Sequence, residues 1–168
     1  LRDRQGIGDP PRELRVIPAP EADRPAPLWW ALDRGADGTL YVAGTLDSML
    51  LRYGSGNAFL PAWPVGAALR DVAALRDGRV AVLVQDAPYV RVLSAQGTPA
   101  AAWGFPGTEA GQFCAPAGLA VDADNQVYVV ERTAASVRLQ KFDIAGHLLK
   151  SVGGTFDNCG SQLPIRLT

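Results

Sequence analysis

Histidine chemistry is restricted to one position in this chain. His147 is the only histidine of the 168 residues, so the chain by itself cannot form a metal site with several histidine ligands. No G-x-S-x-G motif is present to place a serine nucleophile on a strand-to-helix turn. Because His147 follows Gly146 in a predicted turn, we expect its side chain to be solvated rather than catalytic.

Calcium-binding and phosphate-binding loops are not indicated either. Asp122, Asp124 and Asn125 offer oxygen ligands, but the spacing and terminal glutamate of an EF-hand are missing. The glycines within residues 104–111 lack the strand-to-helix context that a phosphate cradle needs. We therefore predict that this chain carries no catalytic residue, no metal and no cofactor.

The elements that position these residues are short strands. Between residues 111 and 153, Val, Leu, Tyr and Phe alternate with polar residues, which is the pattern of a half-buried strand. Asp124-Asn125 and Ala145-Gly146 are turn pairs, since Asn and Gly tolerate positive φ. The apolar runs are Leu119–Val121, Val127–Val130, Val137–Phe142 and Leu148–Val152. They predict one four-stranded antiparallel sheet.

Two weaker copies of this pattern precede it. The turn residues Gly38, Gly78 and Asn125 stand 40 and 47 positions apart, which is the period of a propeller blade. Trp63, Trp103 and Val152 follow at matching positions. We expect these three to lie on outer strands and to pack between neighbouring sheets as core residues.

The third copy resembles the NHL repeat of six-bladed β-propellers, whose pattern is roughly G-x-F-x-x-P-x-G-[IL]-A-V-D, D-G-x-[IV]-Y-V and N-x-R-[IL]-Q-x-F-D-x-x-G. Asn125 and Ser136 depart from it, where Gly and Asn are usual. The matching residues are Gln112-Phe113, Pro116, Gly118 to Asp122, Val127 to Val129 and Arg138 to Gly146.

The resemblance implies an all-β propeller of about three four-stranded antiparallel blades plus the start of a fourth. We predict blades at about 28–65, 66–104 and 115–153, with the next beginning in 154–168. Propellers close into rings because closure removes exposed sheet edges. Three blades cannot close, so we expect part of a longer propeller or a ring that another chain completes.

Residues 1–27 differ in composition from the rest. They contain six of the thirteen prolines, which excludes helix interiors and central strands. One interpretation is an extended arm or linker. The other is an edge strand, with Leu14, Val16 and Ile17, that closes the propeller or binds a partner.

Cys114 and Cys159 lie in predicted loops between one blade and the next, which neighbour each other on one face of a propeller. A disulfide between them is one interpretation, and it would indicate an oxidising compartment. Two free buried thiols are the other. Without a C-x-x-C motif or further ligands, metal or redox chemistry is not indicated.

The same face is our predicted partner-binding surface. Loops on a rigid scaffold are where recognition residues usually lie, and Arg138 matches an arginine of the NHL pattern. The alternative is that these loops are only solvated turns. The predicted contact residues are Asp47, Gln85, Asp86, Phe105, Phe113, Glu131, Arg132 and Arg138.

Two functions are compatible with the sequence. The first is a non-catalytic protein-interaction or scaffold module in the periplasm or outside the cell. An accessory subunit on the periplasmic side of a bacterial membrane complex would fit it. The second is a fragment of a propeller enzyme of the lactonase, lyase or quinoprotein type, with an axial metal or cofactor.

A net charge of −1 and only two lysines argue against nucleic-acid binding. No apolar run is long enough to span a membrane.

Overall fold

The computed structural model describes residues 29–44, 48–56, 58–134, 136–156 and 159. The predicted arm at 1–27, with Leu14, Val16 and Ile17, lies outside the described residues. So do Asp47 and most of the predicted start of a fourth blade.

The described residues form twelve strands and no helix. Accordingly, these residues contain no helix that could span a membrane. They form three four-stranded antiparallel sheets in which each strand pairs with the next along the chain. This confirms the all-β prediction of three blade-like sheets. The strands are β1 Trp29–Arg34, β2 Leu40–Gly44, β3 Met49–Tyr53, β4 Phe59–Pro64, β5 Leu69–Ala74, β6 Val80–Val84, β7 Val90–Leu93, β8 Pro99–Trp103, β9 Pro116–Val121, β10 Val127–Arg132, β11 Val137–Phe142 and β12 Leu148–Gly153.

The hairpins between the first two strands of each sheet share one turn geometry. Gly38 and Gly78 both have φ of 86°, and Asn125 has φ of 59°. Asn is among the few residues other than Gly that adopt this left-handed region at low energetic cost. The replacement of Gly by Asn in the third repeat is therefore compatible with the same turn.

The sheets pack side by side through their first strands. The β5 strand lies against both β1 and β9. Asp33 Oδ2 accepts a hydrogen bond from the backbone N–H of Ala74 at 2.8 Å, and Asp71 Oδ2 accepts one from the N–H of Leu119 at 2.7 Å. Each carboxylate thus supplies a hydrogen-bond acceptor to a backbone N–H group that no adjacent strand satisfies.

Apolar side chains fill the spaces between the sheets. One buried cluster, which includes Leu50, Trp63 and Val82, lies between the first and second sheets. A second cluster, which includes Trp103 and Phe142, lies between the second and third. The predicted packing of both tryptophans between sheets is confirmed.

Val152, at the matching position of the third sheet, is 55% exposed. The prediction that Val152 packs between sheets is therefore wrong. Among the described residues, no fourth sheet lies beside β12.

The tryptophans also restrict the hairpins they touch. Gly146 has φ of 94°, and a Cβ there would overlap the ring of Trp103. We expect Gly146→Ala to lower the free energy of unfolding by about 2 kcal/mol, through left-handed strain and displacement of the ring. Urea unfolding followed by tryptophan fluorescence measures it.

Gly56→Ala is the matched control, since a Cβ at Gly56 meets nothing within 4 Å. Equal stability of the two variants would contradict the packing described for Trp103.

Candidate functional site

Four loops lie together on one face of the described structure, and we call this surface the connection face. It consists of residues 65–68, 85–89, 104–115 and 132–134. Backbone hydrogen bonds join the loops in series: Gln85 N–H to the carbonyl oxygen of Ala68 at 2.9 Å, Tyr89 N–H to that of Gly104 at 2.9 Å, and Arg132 N–H to that of Ala115 at 3.1 Å. The loops between strands are thus held in fixed positions relative to each other.

Four of the predicted contact residues are exposed on the connection face. Gln85, Asp86 and Arg132 are solvent-exposed, and Phe105 is 61% exposed despite its large apolar ring. The topology brings these four to one surface. Asp47 lies outside the described residues, and the partner-binding role of the set stays a prediction.

Three other predicted contact residues are buried, and we correct their placement. Phe113 is fully buried among Tyr89, Trp103 and Phe142. Glu131 and Arg138 are buried as an ion pair. The predicted surface therefore loses these three side chains, because Phe113 points inward from the 104–115 loop and the backbone of that loop covers Glu131 and Arg138.

The buried carboxylate of Glu131 is compensated by three donors. It accepts hydrogen bonds from Arg138 Nε at 2.7 Å, Gln140 Nε2 at 2.9 Å and the backbone N–H of Cys114 at 2.6 Å. A buried charge is tolerated only when it is paired and hydrogen-bonded in this way. We call Glu131, Arg138 and Gln140 the buried polar triad.

The triad holds the 104–115 loop in place. Arg138 donates from Nη1 to the carbonyl oxygen of Thr108 at 2.5 Å and from Nη2 to that of Gln112 at 3.0 Å. Gln140 donates to the same Gln112 carbonyl at 2.8 Å and accepts from the N–H of Gly111 at 2.7 Å. These side chains supply partners for backbone groups that have no strand ladder.

The second sheet has no such triad. Its incoming connection, residues 65–68, is much shorter than 104–115, and Val84 takes the register position of Glu131. The polar triad therefore belongs to the long connection.

One sequence signal could have identified the triad. Arg138 and Gln140 are two residues apart on β11, so their side chains share one face of the strand. Both are buried, whereas their neighbours Val137 and Leu139 are exposed. Polar residues at the inward positions of a strand indicate a buried network.

A disulfide joins the loop to the end of the described chain. Cys114 and Cys159 are bonded, with their Cα atoms 4.8 Å apart, which confirms the disulfide interpretation over two free thiols. Phe156, also buried, lies beneath the guanidinium of Arg138 at 4.7 Å from the ring centre. The loop is thus fixed covalently as well as by charge.

The remaining candidate residues lie in hairpin turns, where they make local hydrogen bonds. The side chain of His147 is 79% exposed, as predicted, and its Nδ1 lies 2.7 Å from Asp143 Oδ2. Hydrogen bonding from the His147 side chain lowers the pKa of Asp143. The backbone N–H of Gln126, aided by Lys141 and Tyr128, lowers the pKa of Asp122 to about 2.

No group of acidic, histidine and cysteine side chains in the described residues is arranged to hold a metal ion.

Solved structures share this fold at low sequence identity. A chain of the nidogen/laminin complex aligns with a TM-score of 0.61 and 11% identity, covering 79% of this chain and 50% of that chain. A streptogramin B lyase aligns with a TM-score of 0.61 and 14% identity, covering 82% of this chain and 43% of the lyase.

A catalytically inactive virginiamycin B lyase from Staphylococcus aureus, with quinupristin, aligns with a TM-score of 0.59 and 10% identity, covering 82% of this chain and 44% of that one. The chain thus spans about half the length of these propellers or less. Neither a protein-family model nor a curated protein sequence matches it. The fold is propeller-like, and fold alone does not give an activity.

The buried ion pair between Glu131 and Arg138 leads to a prediction about the free energy of unfolding. Glu131→Gln removes the negative charge and leaves the Arg138 guanidinium buried without its counter-ion. We expect the free energy of unfolding to fall by about 3 kcal/mol, measured by urea denaturation. Asp77→Asn is the control, because its pair with Arg79 is partly exposed and contributes less than about 1 kcal/mol. A smaller loss for Glu131→Gln than for the control would contradict the role of the triad.

The disulfide closes a loop between residues 45 positions apart. Replacing both cysteines by serine should lower the free energy of unfolding by about 4 kcal/mol, mainly because the unfolded chain gains entropy. Denaturation of the two proteins without reductant measures the difference. Two thiols that react with an alkylating reagent in the native protein would contradict the bond.

Proposed function

We propose that this chain is a non-catalytic protein-interaction module of an extracytoplasmic β-propeller, and that its connection face binds a partner protein. One observation carries the proposal. Phe105 exposes its apolar ring on a loop whose backbone is fixed from beneath by the buried polar triad and by the disulfide.

A rigid exposed aromatic residue suits binding for a thermodynamic reason. Association loses free energy when loops and side chains must become ordered. The backbone on both sides of Phe105 is already held, since the Gly104 carbonyl accepts from Tyr89 N–H and the Phe105 carbonyl accepts from Phe113 N–H, each at 2.9 Å. Buried aromatic anchors contribute a large share of interface affinity.

The surroundings of Phe105 resemble an interface in composition. Arg132 is exposed on one neighbouring loop, and Gln85 and Asp86 are exposed on another. Interfaces commonly combine an apolar centre with a polar rim, and arginine is enriched in them. These three residues would form the rim around the ring.

The disulfide supports the location. Structural disulfides form and persist in oxidising compartments such as the periplasm and the extracellular space. We therefore infer that the module works outside the cytoplasm, where an accessory subunit of a bacterial membrane complex would meet its partner. The similarity to a chain of the nidogen/laminin complex supports protein binding, because that structure is itself an assembly of proteins.

A propeller enzyme is the second candidate, and the similarity to two lyases favours it. Its axial site would need ligands from inner strands beyond those described here. Metal analysis of the protein purified from its source distinguishes the two functions: a stoichiometric calcium or zinc ion would support the enzyme and count against the interaction module.

Phe105→Ala tests the proposed surface. We expect it to weaken binding of a partner purified from the source organism by about tenfold or more, since loss of an aromatic anchor typically costs about 2 kcal/mol. Its unfolding free energy should stay near that of the wild type. Titration of the purified partner, monitored by surface plasmon resonance, measures the affinity.

The matched control is Phe59→Ala, which removes another exposed phenylalanine away from the connection face. Equal affinities of both variants and the wild type would count against the connection face as the binding surface.

A further inference from the structure

A cavity of about 350 Å³ lies between the β1–β2 hairpin and the β5–β6 hairpin, and we call it the hairpin cavity. It opens at the end of the sheets opposite the connection face, because successive antiparallel strands turn at alternate ends. Both hairpins belong to the described residues. The lining of the cavity includes Ala36, Asp37, Tyr41, Leu75, Arg76 and Gly78.

The next pair of sheets shows how the corresponding space is filled. Between the β5–β6 and β9–β10 hairpins, the side chain of Asn125 forms a bridge. Its Oδ1 accepts a hydrogen bond from the backbone N–H of Arg76 at 3.0 Å, and its Nδ2 donates one to Asp77 Oδ2 at 3.2 Å. A primary carboxamide is thus held by one backbone donor and one carboxylate acceptor.

The β1–β2 hairpin presents the same two groups. Ala36 and Asp37 stand 40 positions before Arg76 and Asp77, and each pair lies in a turn closed by the same backbone hydrogen bond. Asp37, like Asp77, accepts a hydrogen bond from the backbone N–H two residues further on. The two turns therefore match in their hydrogen bonding as well as in sequence position.

The bridging side chain is missing from this gap because glycine takes its place. Gly78 stands at the position of Asn125, with φ of 86° against 59°, and has no side chain to reach across. Among the described residues, the N–H of Ala36 has no hydrogen-bond acceptor, and Asp37 Oδ2 accepts only from Thr39 Oγ1, at 2.8 Å. A backbone donor and a carboxylate oxygen are thus both left for a ligand.

We propose that the hairpin cavity binds a small molecule that carries a primary carboxamide. The carbonyl oxygen of the ligand accepts from the Ala36 N–H, and its NH₂ group donates to Asp37 Oδ2, which repeats the two hydrogen bonds of Asn125. The body of the ligand lies against the buried side chains of Tyr41 and Leu75. Small-molecule sites commonly combine such apolar walls with a few polar groups that fix the orientation.

The charges around the cavity favour a carboxamide over a carboxylate. Hydrogen bonding from Thr39 lowers the pKa of Asp37, so Asp37 is ionised at neutral pH and repels an anion. Arg79 is already paired with Asp77 at 2.7 Å, which partly neutralises it. Arg76 is exposed and is the cation that a carboxylate ligand would use instead.

Titration of the isotope-labelled protein with benzamide, followed by the amide resonances of the two hairpins, tests the proposal. We expect saturable binding, and at least about tenfold weaker binding of benzoate, which has no N–H to donate to Asp37. Ala36→Pro should weaken benzamide binding by at least about tenfold, because proline removes the N–H and is favoured at this position of the turn.

Gly78→Asn is the decisive variant. Asparagine tolerates positive φ, and a Cβ at Gly78 meets only the Cβ of Ala95, at 3.4 Å, so the new side chain can bridge the hairpins as Asn125 does. We expect benzamide binding to be lost and the Ala36 N–H to be protected from hydrogen exchange. Gly38→Asn is the matched control, since Gly38 has the same φ but does not line the cavity. It should bind benzamide as the wild type does.

Three results would overturn the proposal. The first is benzoate binding as tight as benzamide binding, which would identify an anion site at Arg76. The second is unchanged benzamide binding by Gly78→Asn, or no saturable shift at millimolar benzamide. The third is tighter binding of a blocked tripeptide with a central asparagine, which would assign the cavity to a protein side chain. Far-UV circular dichroism checks folding, and Gly78→Asn decides if Ala36→Pro unfolds.

Discussion

The structure depends on one constraint: each four-stranded sheet has two sides that must be covered. The described residues cover both sides only for the second sheet, where all five residues of β6 are buried. Its sequence, V-A-V-L-V, is correspondingly apolar throughout, as expected for a strand buried on both faces. The third sheet retains one open side among the described residues, where Leu139 is 42% and Val152 is 55% exposed.

In the third sheet, charged and polar side chains hold a loop whose backbone polar groups could not be satisfied by apolar contacts. The 104–115 connection passes over the sheet without a ladder of its own, so its carbonyl groups need donors from beneath. Arg138 and Gln140 supply them, while Glu131 neutralises the arginine and binds Cys114 N–H. A buried ion pair contributes little net stability on average. Here it defines one conformation of the loop, and with it the position of Phe105.

The fold of this chain does not by itself indicate a function. A chain from a protein complex and two lyases share this fold with the chain at 10% to 14% identity. The sheets need only apolar alternation and turns, which many sequences satisfy. Recognition residues commonly lie on the loops of a rigid scaffold, and the long 104–115 loop distinguishes the third repeat from the second.

Local residue patterns were enough to predict the strands, the turns and the three sheets, because alternation and positive-φ residues such as Gly38 and Asn125 act over a few neighbouring positions. The closeness of Cys114 and Cys159 followed from the predicted order of the loops. The burial of Phe113, Glu131 and Arg138 did not, since it depends on tertiary contacts between the 104–115 loop and strands that lie up to 30 residues away in the chain. Val152 shows the same limit: its exposure is decided by whether another sheet lies beside it, a property of the assembled tertiary structure and not of its neighbours in the chain.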